Sequence, residues 1–367
     1  MRKIACSGTV RATYSLRKGT GQTILNTSAA SQISSPRDAG TLPEIPVIDA
    51  HGERSHIPVL MAEKERIEML IAAAHSHYGK PFIGVADRLS RNWLKRNMTP
   101  YLRDVASIAH RLPASGGWFL NASFEWSCTC GVAPAANGRN MRLVRVLDWP
   151  LDGLGKGLVV TRQSGRAGNF FNITWPGFAG VVTGCAPGRF AAAINQAPLK
   201  RAGLGCWGDW AVTRPAIWRS RELPPMHLLR QIFEQCGSYR DAKHAITHSP
   251  LAVSAIFSLA GAKEGEGCVI ERTPTTARVF EAPVSVANHW IDPETKGRSR
   301  GVRSHERRDQ MANLIENGAP DALDWLDEPV LNRTTRLAAI MDPADGALLV
   351  KGFEGDGPAT RTLHLAA

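Results

Sequence analysis

Residues 128–195 constrain the fold most. Apolar and polar residues alternate there with period two, and turn signals interrupt the alternation at Ala136-Asn-Gly138, Asp152-Gly153, Gly165-Arg-Ala-Gly168 and Pro187-Gly188. Strand side chains point alternately to opposite faces, so the pattern predicts several adjoining antiparallel strands. Helical periodicity flanks this block. Met61 to His77, with Met61, Ile67, Met69, Leu70 and Ile71, predicts one helix. Others are predicted at about Asp87–Asn97 and at Pro100–Leu112, where Leu102, Val105, Ile108 and Ala109 share a face. Met226–Thr247 predicts a helix broken at Gly237-Ser238, and about Ser304–Asn317 predicts the last. Strands resume at Val253–Ala260, Gly267–Glu271, Ala277–Phe280, Thr335–Met341 and Ala347–Phe353. A helical N-terminal part before two sets of strands with helices between them indicates α+β layers.

A chain of 367 residues buries a large core as one or two domains. It has no apolar run long enough for a membrane-spanning helix. Residues 1–42 are rich in Ser, Thr, Gly and Ala, and 1–36 lack acidic groups. They are expected to be a disordered or loosely attached tail. Charge interrupts the start of the chain at Arg11, Arg17 and Lys18, so no secretory signal is expected, although the composition is transit-like. Seven scattered cysteines, an odd number, argue for a reducing compartment over a disulfide framework; the expected location is cytoplasmic. Cys128-Thr-Cys130 is too tightly spaced for a zinc knuckle, and no second pair completes a site, so no metal or cofactor is expected. The net charge of +11 suits an acidic substrate or an anionic membrane surface. Its spread along the chain, without zinc-finger, RRM or helix-turn-helix signatures, argues against nucleic acid.

Cys128 opens the period-two block behind a small hydroxyl residue, Ser127. Arg145 and Asp148 follow about two strand lengths later, amid apolar residues. Spacing alone leaves two readings open. Cys128 is a small buried hydrophobe with Arg145 and Asp148 as a structural ion pair, or it is a nucleophile with both as partners. Tryptophans 149, 175, 207, 210 and 290 are either core or the lining of an acyl pocket. Gly153-Leu-Gly-Lys-Gly157 lacks the length and setting of a phosphate loop.

Several segments in order resemble the acid ceramidase and N-acylethanolamine acid amidase family, N-terminal nucleophile hydrolases related to bile-salt hydrolase, penicillin V acylase and penicillin acyltransferase. Asn121-Ala-Ser-Phe-Glu125 before Cys128-Thr129 resembles the family's N-x-x-Y-E then C-T-S. Phe178-Ala-Gly-Val-Val-Thr-Gly184, Pro187-Gly-Arg-Phe190 and Ile194-Asn195 resemble F-x-G-x-x-T-G, P-G-x-F and L-N-E. Ser249-Pro-Leu251, Gly265-Glu-Gly-Cys-Val-Ile270 and Val330-Leu-Asn332 resemble T-P-L, G-E-G-x-V-I and V-L-N. The resemblance covers roughly residues 43–355.

The resemblance implies a four-layer αββα fold with a helical N-terminal segment, 43–127 as small subunit or propeptide, and 128–367 as the catalytic part. It implies cleavage between Ser127 and Cys128, the new α-amine then serving as base for its own thiol. An α-amine and a thiol titrate close enough to exchange a proton. The family pattern assigns Arg145 to the thiolate and substrate, and Asp148 to the new ammonium. It assigns Asn195 and Asn288 to the oxyanion, and Arg307, with Arg308 as neighbouring alternative, to the site's later arginine. The implied activity is hydrolysis of the linear amide of a ceramide- or N-acylethanolamine-like substrate through a thioester. The alternatives are an acyltransferase of the penicillin acyltransferase type and an inactive lipid- or membrane-binding relative. The chain departs from the pattern at Val146, where the family has asparagine, and at Cys130, where it has serine. Gly138-Arg-Asn-Met141 falls too early to be the arginine motif. The stretch from Asn288 to Arg307 is longer than in ceramidase and closer to the acyltransferase N-H-F then S-x-x-R.

Overall fold

The structure, a computed structural model, describes residues 42–366 except Glu53, Phe124, Glu125, Asn137, Ala202 and Asp356. The expected loose tail, apart from Leu42, lies outside the described residues, as do Phe124-Glu125 of the first motif.

After strand β1 (Val47–Asp49) come helices α1 (His56–Ala62), α2 (Lys64–Tyr78), α3 (Lys80–Arg96), α4 (Leu102–Arg111) and the single turn α5 (Gly117–Leu120). The hairpin β2 (Ser127–Pro134) and β3 (Met141–Asp148) precedes β4 (Val159–Gly165), β5 (Gly168–Thr174), β6 (Thr183–Ala186) and β7 (Phe190–Gln196). Helices α6 (Gly205–Arg219), α7 (Pro225–Gln235) and α8 (Tyr239–His248) lead to β8 (Ala255–Gly261), β9 (Gly267–Arg272), β10 (Ala277–Glu281) and β11 (Val284–Val286). Helix α9 (Ser304–Ile315) precedes β12 (Thr335–Asp342), β13 (Ala347–Glu354), β14 (Gly357–Pro358) and β15 (Leu363–Leu365).

The strands form two sheets. One runs β1-β4-β5-β6-β7-β8-β9-β10; the other runs β11-β2-β3-β12-β13-β14, with β15 also on β13. Strands β2 and β3 pack face to face on β7 and β8, and the main core fills the space between them. Helices α7 and α8 cover the outside of the first sheet, and α9 covers the second. Strands β8 and β12 are therefore buried along their whole length. This is a four-layer αββα arrangement.

The period-two block is not one set of adjoining strands, as expected from the sequence. Its first two strands lie in one sheet and β4–β7 in the other. The glycine-rich segment after Asp152 makes the crossing. The Glu354 carboxylate accepts from the N–H groups of Gly153 (3.1 Å) and Gly155 (2.8 Å), and Gly155 lies directly against the backbone of Phe353. These glycines let two backbones touch.

The helical part begins earlier than its periodicity suggests. Met61 lies in the last turn of α1 and is exposed, while α2 buries Ile67, Leu70, Ile71 and Ala74 at helical spacing. The break at Gly237-Ser238 is a cap: the Ser238 hydroxyl accepts from Asp241 N–H at 3.2 Å. Periodicity assigned no element to 196–225, where α6 lies. Its Gly208 and internal Pro215 are poor helix formers, so the signal is weak.

Candidate active site

The β2–β3 hairpin carries the site. Its register pairs Ser127 with Asp148, Cys128 with Leu147, Thr129 with Val146 and Cys130 with Arg145. Directly paired residues share a face. Cys128, Cys130 and Arg145 therefore point toward the first sheet, and Ser127, Thr129 and Asp148 toward α9. Arg145 and Asp148, an odd number of residues apart, fall on opposite faces. They are not an ion pair with each other, and the structural-pair reading fails on strand parity. Gly131 shows how closely α9 lies on this sheet: a Cβ there would sit 2.8 Å from Met311 Sδ.

On the inner face, Arg145 is fully buried. Its Nη2 donates to Cys128 Sγ at 3.1 Å and to the Ile194 carbonyl at 3.0 Å. Its Nη1 donates to Asn195 Oδ1 at 3.2 Å and lies 3.5 Å from Cys130 Sγ. Among the described residues no carboxylate pairs with it. A buried guanidinium without a counter-ion is costly, and the neighbours able to become anionic are the two thiols. The Cys130 thiol donates to Asn195 Oδ1 at 3.1 Å. Arg145 can only donate, so the Asn195 oxygen must face it. The Asn195 Nδ2 then serves the Ala287 carbonyl at 3.1 Å and does not face Cys128.

On the outer face, the peptide around Cys128 is held at both ends. Its N–H donates to Asn288 Oδ1 at 2.7 Å, and its carbonyl accepts from Arg307 Nη1 at 2.8 Å. Arg307 also donates to Thr129 Oγ1 at 2.8 Å and to Asn288 Oδ1 at 3.1 Å. Asn288 Nδ2 is engaged by the Gln196 carbonyl at 2.8 Å. Asp148 accepts from the Thr335 hydroxyl at 2.8 Å and lies 3.5 Å from Arg307 Nη1, so its link to Cys128 runs through Arg307. Arg308 turns away to the Ser285 carbonyl (3.3 Å). Arg139 is exposed in the β2–β3 turn. The geometry thus brings Cys128, Arg145, Asp148, Asn195, Asn288 and Arg307 together, all nearly or fully buried.

Gly301 lies against Ser127, beside the Ser127–Cys128 bond. Gly301 has φ +70, and a Cβ there would lie 2.5 Å from the Ser127 Cβ and 2.8 Å from Arg307 Nη2. Both the backbone conformation and the close approach require glycine. Burial pushes the Cys128 thiol up to about 12, against the pull of Arg145. Burial also raises Cys130 and Asp148, the latter opposed by Arg307 and Thr335. The thiol in this covered, uncut state is neutral near pH 7.

Three contributors were given no role from the sequence. Thr129 accepts from Arg307, Thr335 holds Asp148, and Ser304 receives the Asn288 N–H at 2.9 Å. Parity marks Thr129 as facing away from the thiol. Ser304 heads the S-x-x-R spacing before Arg307 but its bond to Asn288 was not apparent there, and Thr335 carried no spacing signal. Trp149 and Trp175 meet edge to face at 5.8 Å and wall an apolar cavity of about 50 Å³ with Ile67, Leu70, Leu120 and Phe178. Trp290 is half-buried, and the side chains of Trp207 and Trp210 lie outside the described residues. Among the described residues, no group of three His, Cys, Asp or Glu could hold a metal ion.

Two facing sheets thus lie between helical layers, and this buried thiol heads a central hairpin strand of one of them. The chain is similar in sequence to acid ceramidases. It is 26% identical over 186 residues to an acid ceramidase of Heterocephalus glaber, covering 47% of this chain and 45% of that protein. It is 33% identical over 182 residues to an acid ceramidase of Balaenoptera acutorostrata scammoni, covering 46% and 44%. A probable acid ceramidase of Caenorhabditis elegans matches at 27% over 216 residues, covering 53% and 52%. The chain thus spans about half the length of the curated relatives it matches. No family model matches. Among solved structures, a Caenorhabditis elegans N-acylethanolamine-hydrolyzing acid amidase ortholog superposes with a TM-score of 0.46 at 21% identity, covering 65% of this chain and 100% of that one.

Proposed function

We propose that this protein is a self-processing cysteine amidase that hydrolyses the linear amide bond of an N-acyl lipid. The observation that carries the reading is Arg145: a fully buried guanidinium whose potential counter-ion is the Cys128 thiolate. In the first reaction Cys128 Sγ attacks the Ser127 carbonyl carbon. The Ser127 acyl group moves to sulfur, the C–N bond breaks, and the Cys128 nitrogen leaves as an amine. Water then hydrolyses the thioester, giving the Ser127 carboxylate and freeing the Cys128 thiol beside its new α-amine. Asn288 and Arg307 hold the Cys128 N–H and carbonyl during this step.

In the second reaction the α-amine takes the thiol proton and Sγ attacks the substrate's acyl carbon. The amine returns that proton to the leaving nitrogen, and water resolves the thioester to a fatty acid. Cleavage brings water and a titratable amine to a thiol that is otherwise buried, and both lower the cost of the thiolate. Oxyanion donation by Asn288 or Asn195 requires their amides to leave the carbonyls of Gln196 and Ala287.

The acyl chain has an entrance consistent with this chemistry. A cavity of about 190 Å³ between α3 and α6 is walled by Phe82, Val85, Leu89, Phe119 and Trp218, and reaches Ser123, five residues before Cys128. Its mouth is apolar: Phe82, Val85 and Leu89 lie one helical face apart and are exposed, beside Val212 and Trp218 of α6. Arg88, Lys95, Arg96 and Arg219 are exposed on the same two helices. This suits delivery of substrate from an anionic membrane surface. Incubation with an N-acylethanolamine is expected to yield fatty acid and free amine, with an acyl-Cys128 adduct on rapid quenching. Transfer to an added amine in place of water would assign the acyltransferase activity instead. No product and no adduct would refute the proposal.

A further inference from the structure

Ser304, the first residue of α9, is buried and joins two parts of the site. Its Oγ accepts from Asn288 N–H at 2.9 Å and lies 2.9 Å from His289 Nδ1. One turn later the same helix presents Arg307, which shares Asn288 Oδ1 with the Cys128 N–H. The start of α9 is a strained place. Arg303 before it is left-handed (φ 45) and gives no side-chain cap. Left-handed backbone at a non-glycine residue persists only where its surroundings hold it. The Ser304–Asn288 bond is one such hold.

Proton accounting makes the arrangement directional. Asn288 N–H can only donate, so Ser304 Oγ accepts there and keeps its own hydrogen to give to His289 Nδ1 in the tautomer that leaves that nitrogen unprotonated. That requires a neutral imidazole with its proton on Nε2, which is buried without a hydrogen-bond partner. His289 stacks on His305 at 3.8 Å and is otherwise faced by Arg307 and Arg308. We propose that Ser304 and neutral His289 are a positioning pair that holds Asn288 and Arg307 in register on Cys128. This rests on the reading of Cys128 as nucleophile. Burial, His305 and the two arginines keep His289 neutral down to about 4. Below that pH its Nδ1 becomes a donor, the Ser304 hydrogen loses its acceptor, and the register loosens.

The test follows kcat, KM and their pH dependence with a fluorogenic N-acyl aminocoumarin, with intact mass to follow cleavage. Ser304→Ala is expected to lower kcat about 10- to 100-fold with KM nearly unchanged, the loss of a buried hydrogen bond to a site residue. Ser304→Thr keeps the hydroxyl and restores most of the rate. His289→Asn keeps an acceptor at the Nδ1 position and removes the acid limb of kcat near pH 4. Unchanged kcat in Ser304→Ala, or equal losses in the Ala and Thr variants with lowered melting temperature, overturns the pair while Cys128 stands. A wild-type protein that neither cuts itself nor turns over the probe sinks both.

Discussion

Arg145 Nη2 lies 3.1 Å from the Sγ of Cys128, with Nη1 3.5 Å from Cys130 Sγ. A buried cation spanning two thiols is poorly suited to stabilising the fold and well suited to stabilising a thiolate. Arg145→Met is therefore expected to keep or raise the melting temperature, because apolar groups often replace buried charge without loss. It should abolish turnover. Arg145→Lys, a point charge without the planar fork, should cost about 100-fold in kcat/KM, roughly 2.7 kcal/mol. Thermal melts and steady-state kinetics decide. An active Arg145→Met variant would remove the guanidinium from the mechanism.

Ser127 and Gly301 make a tighter relationship. Gly301→Ala combines left-handed strain of about 1–2 kcal/mol with a clash on Ser127. Cleavage should slow, and the chain should destabilise. Adding Ser127→Gly removes the clashing Cβ and should recover part of the loss, leaving the strain. Urea unfolding of the two single variants and the double variant gives the coupling. Strict additivity would mean that Gly301 does not rest on Ser127.

Buried histidines set the acid behaviour. Burial holds His227 at about 3, below its ordinary 6.5; it is fully buried and lies 2.9 Å from Thr99 Oγ1. A depressed histidine stays neutral in the fold while the unfolded chain takes up a proton. Its contribution is complete above pH 6.5 and is lost as pH falls toward 3, by about 1.4 kcal/mol per unit. His289 acts in the same direction. Denaturant midpoints between pH 7.5 and 4 should fall in wild type and flatten in His227→Asn. Parallel curves for the two proteins would rule His227 out as the source.

The exposed stripe on α3 gives a surface prediction. Val85→Glu with Leu89→Glu should weaken co-sedimentation with phosphatidylserine vesicles several-fold, and slow hydrolysis of a long-chain substrate more than that of a short-acyl substrate that does not fill the cavity they wall. Both residues are already exposed, so stability should hold within about 0.5 kcal/mol. Equal vesicle binding by variant and wild type would move the membrane contact elsewhere.

These relationships differ in how far the sequence announced them. Cys128, Arg145 and Asp148 stand on one hairpin, so spacing found them, yet parity was needed to see that Arg145 serves the thiol and Asp148 serves Arg307. Asn195, Asn288 and Arg307 came from motif resemblance, since nothing local ties them to residue 128. Arg307 was separated from Arg308 by helix phase alone, which only the packing of α9 fixes. Thr335, and the role of Ser304 within its S-x-x-R spacing, stayed hidden because an ordinary hydroxyl becomes informative only once its distant partner is in place. The two-sheet split of residues 128–195 was hidden for a similar reason: alternation specifies strands but not which sheet each joins. Helix α6 was lost to its internal Pro215.

N-terminal sequencing of the purified wild-type protein beside Cys128→Ala tests the central claim most directly. The account predicts two fragments in wild type, the larger beginning Cys128-Thr129-Cys130, and a single uncut chain in the variant. Two fragments of the same size in Cys128→Ala, or a wild-type fragment beginning at any other residue, would contradict it.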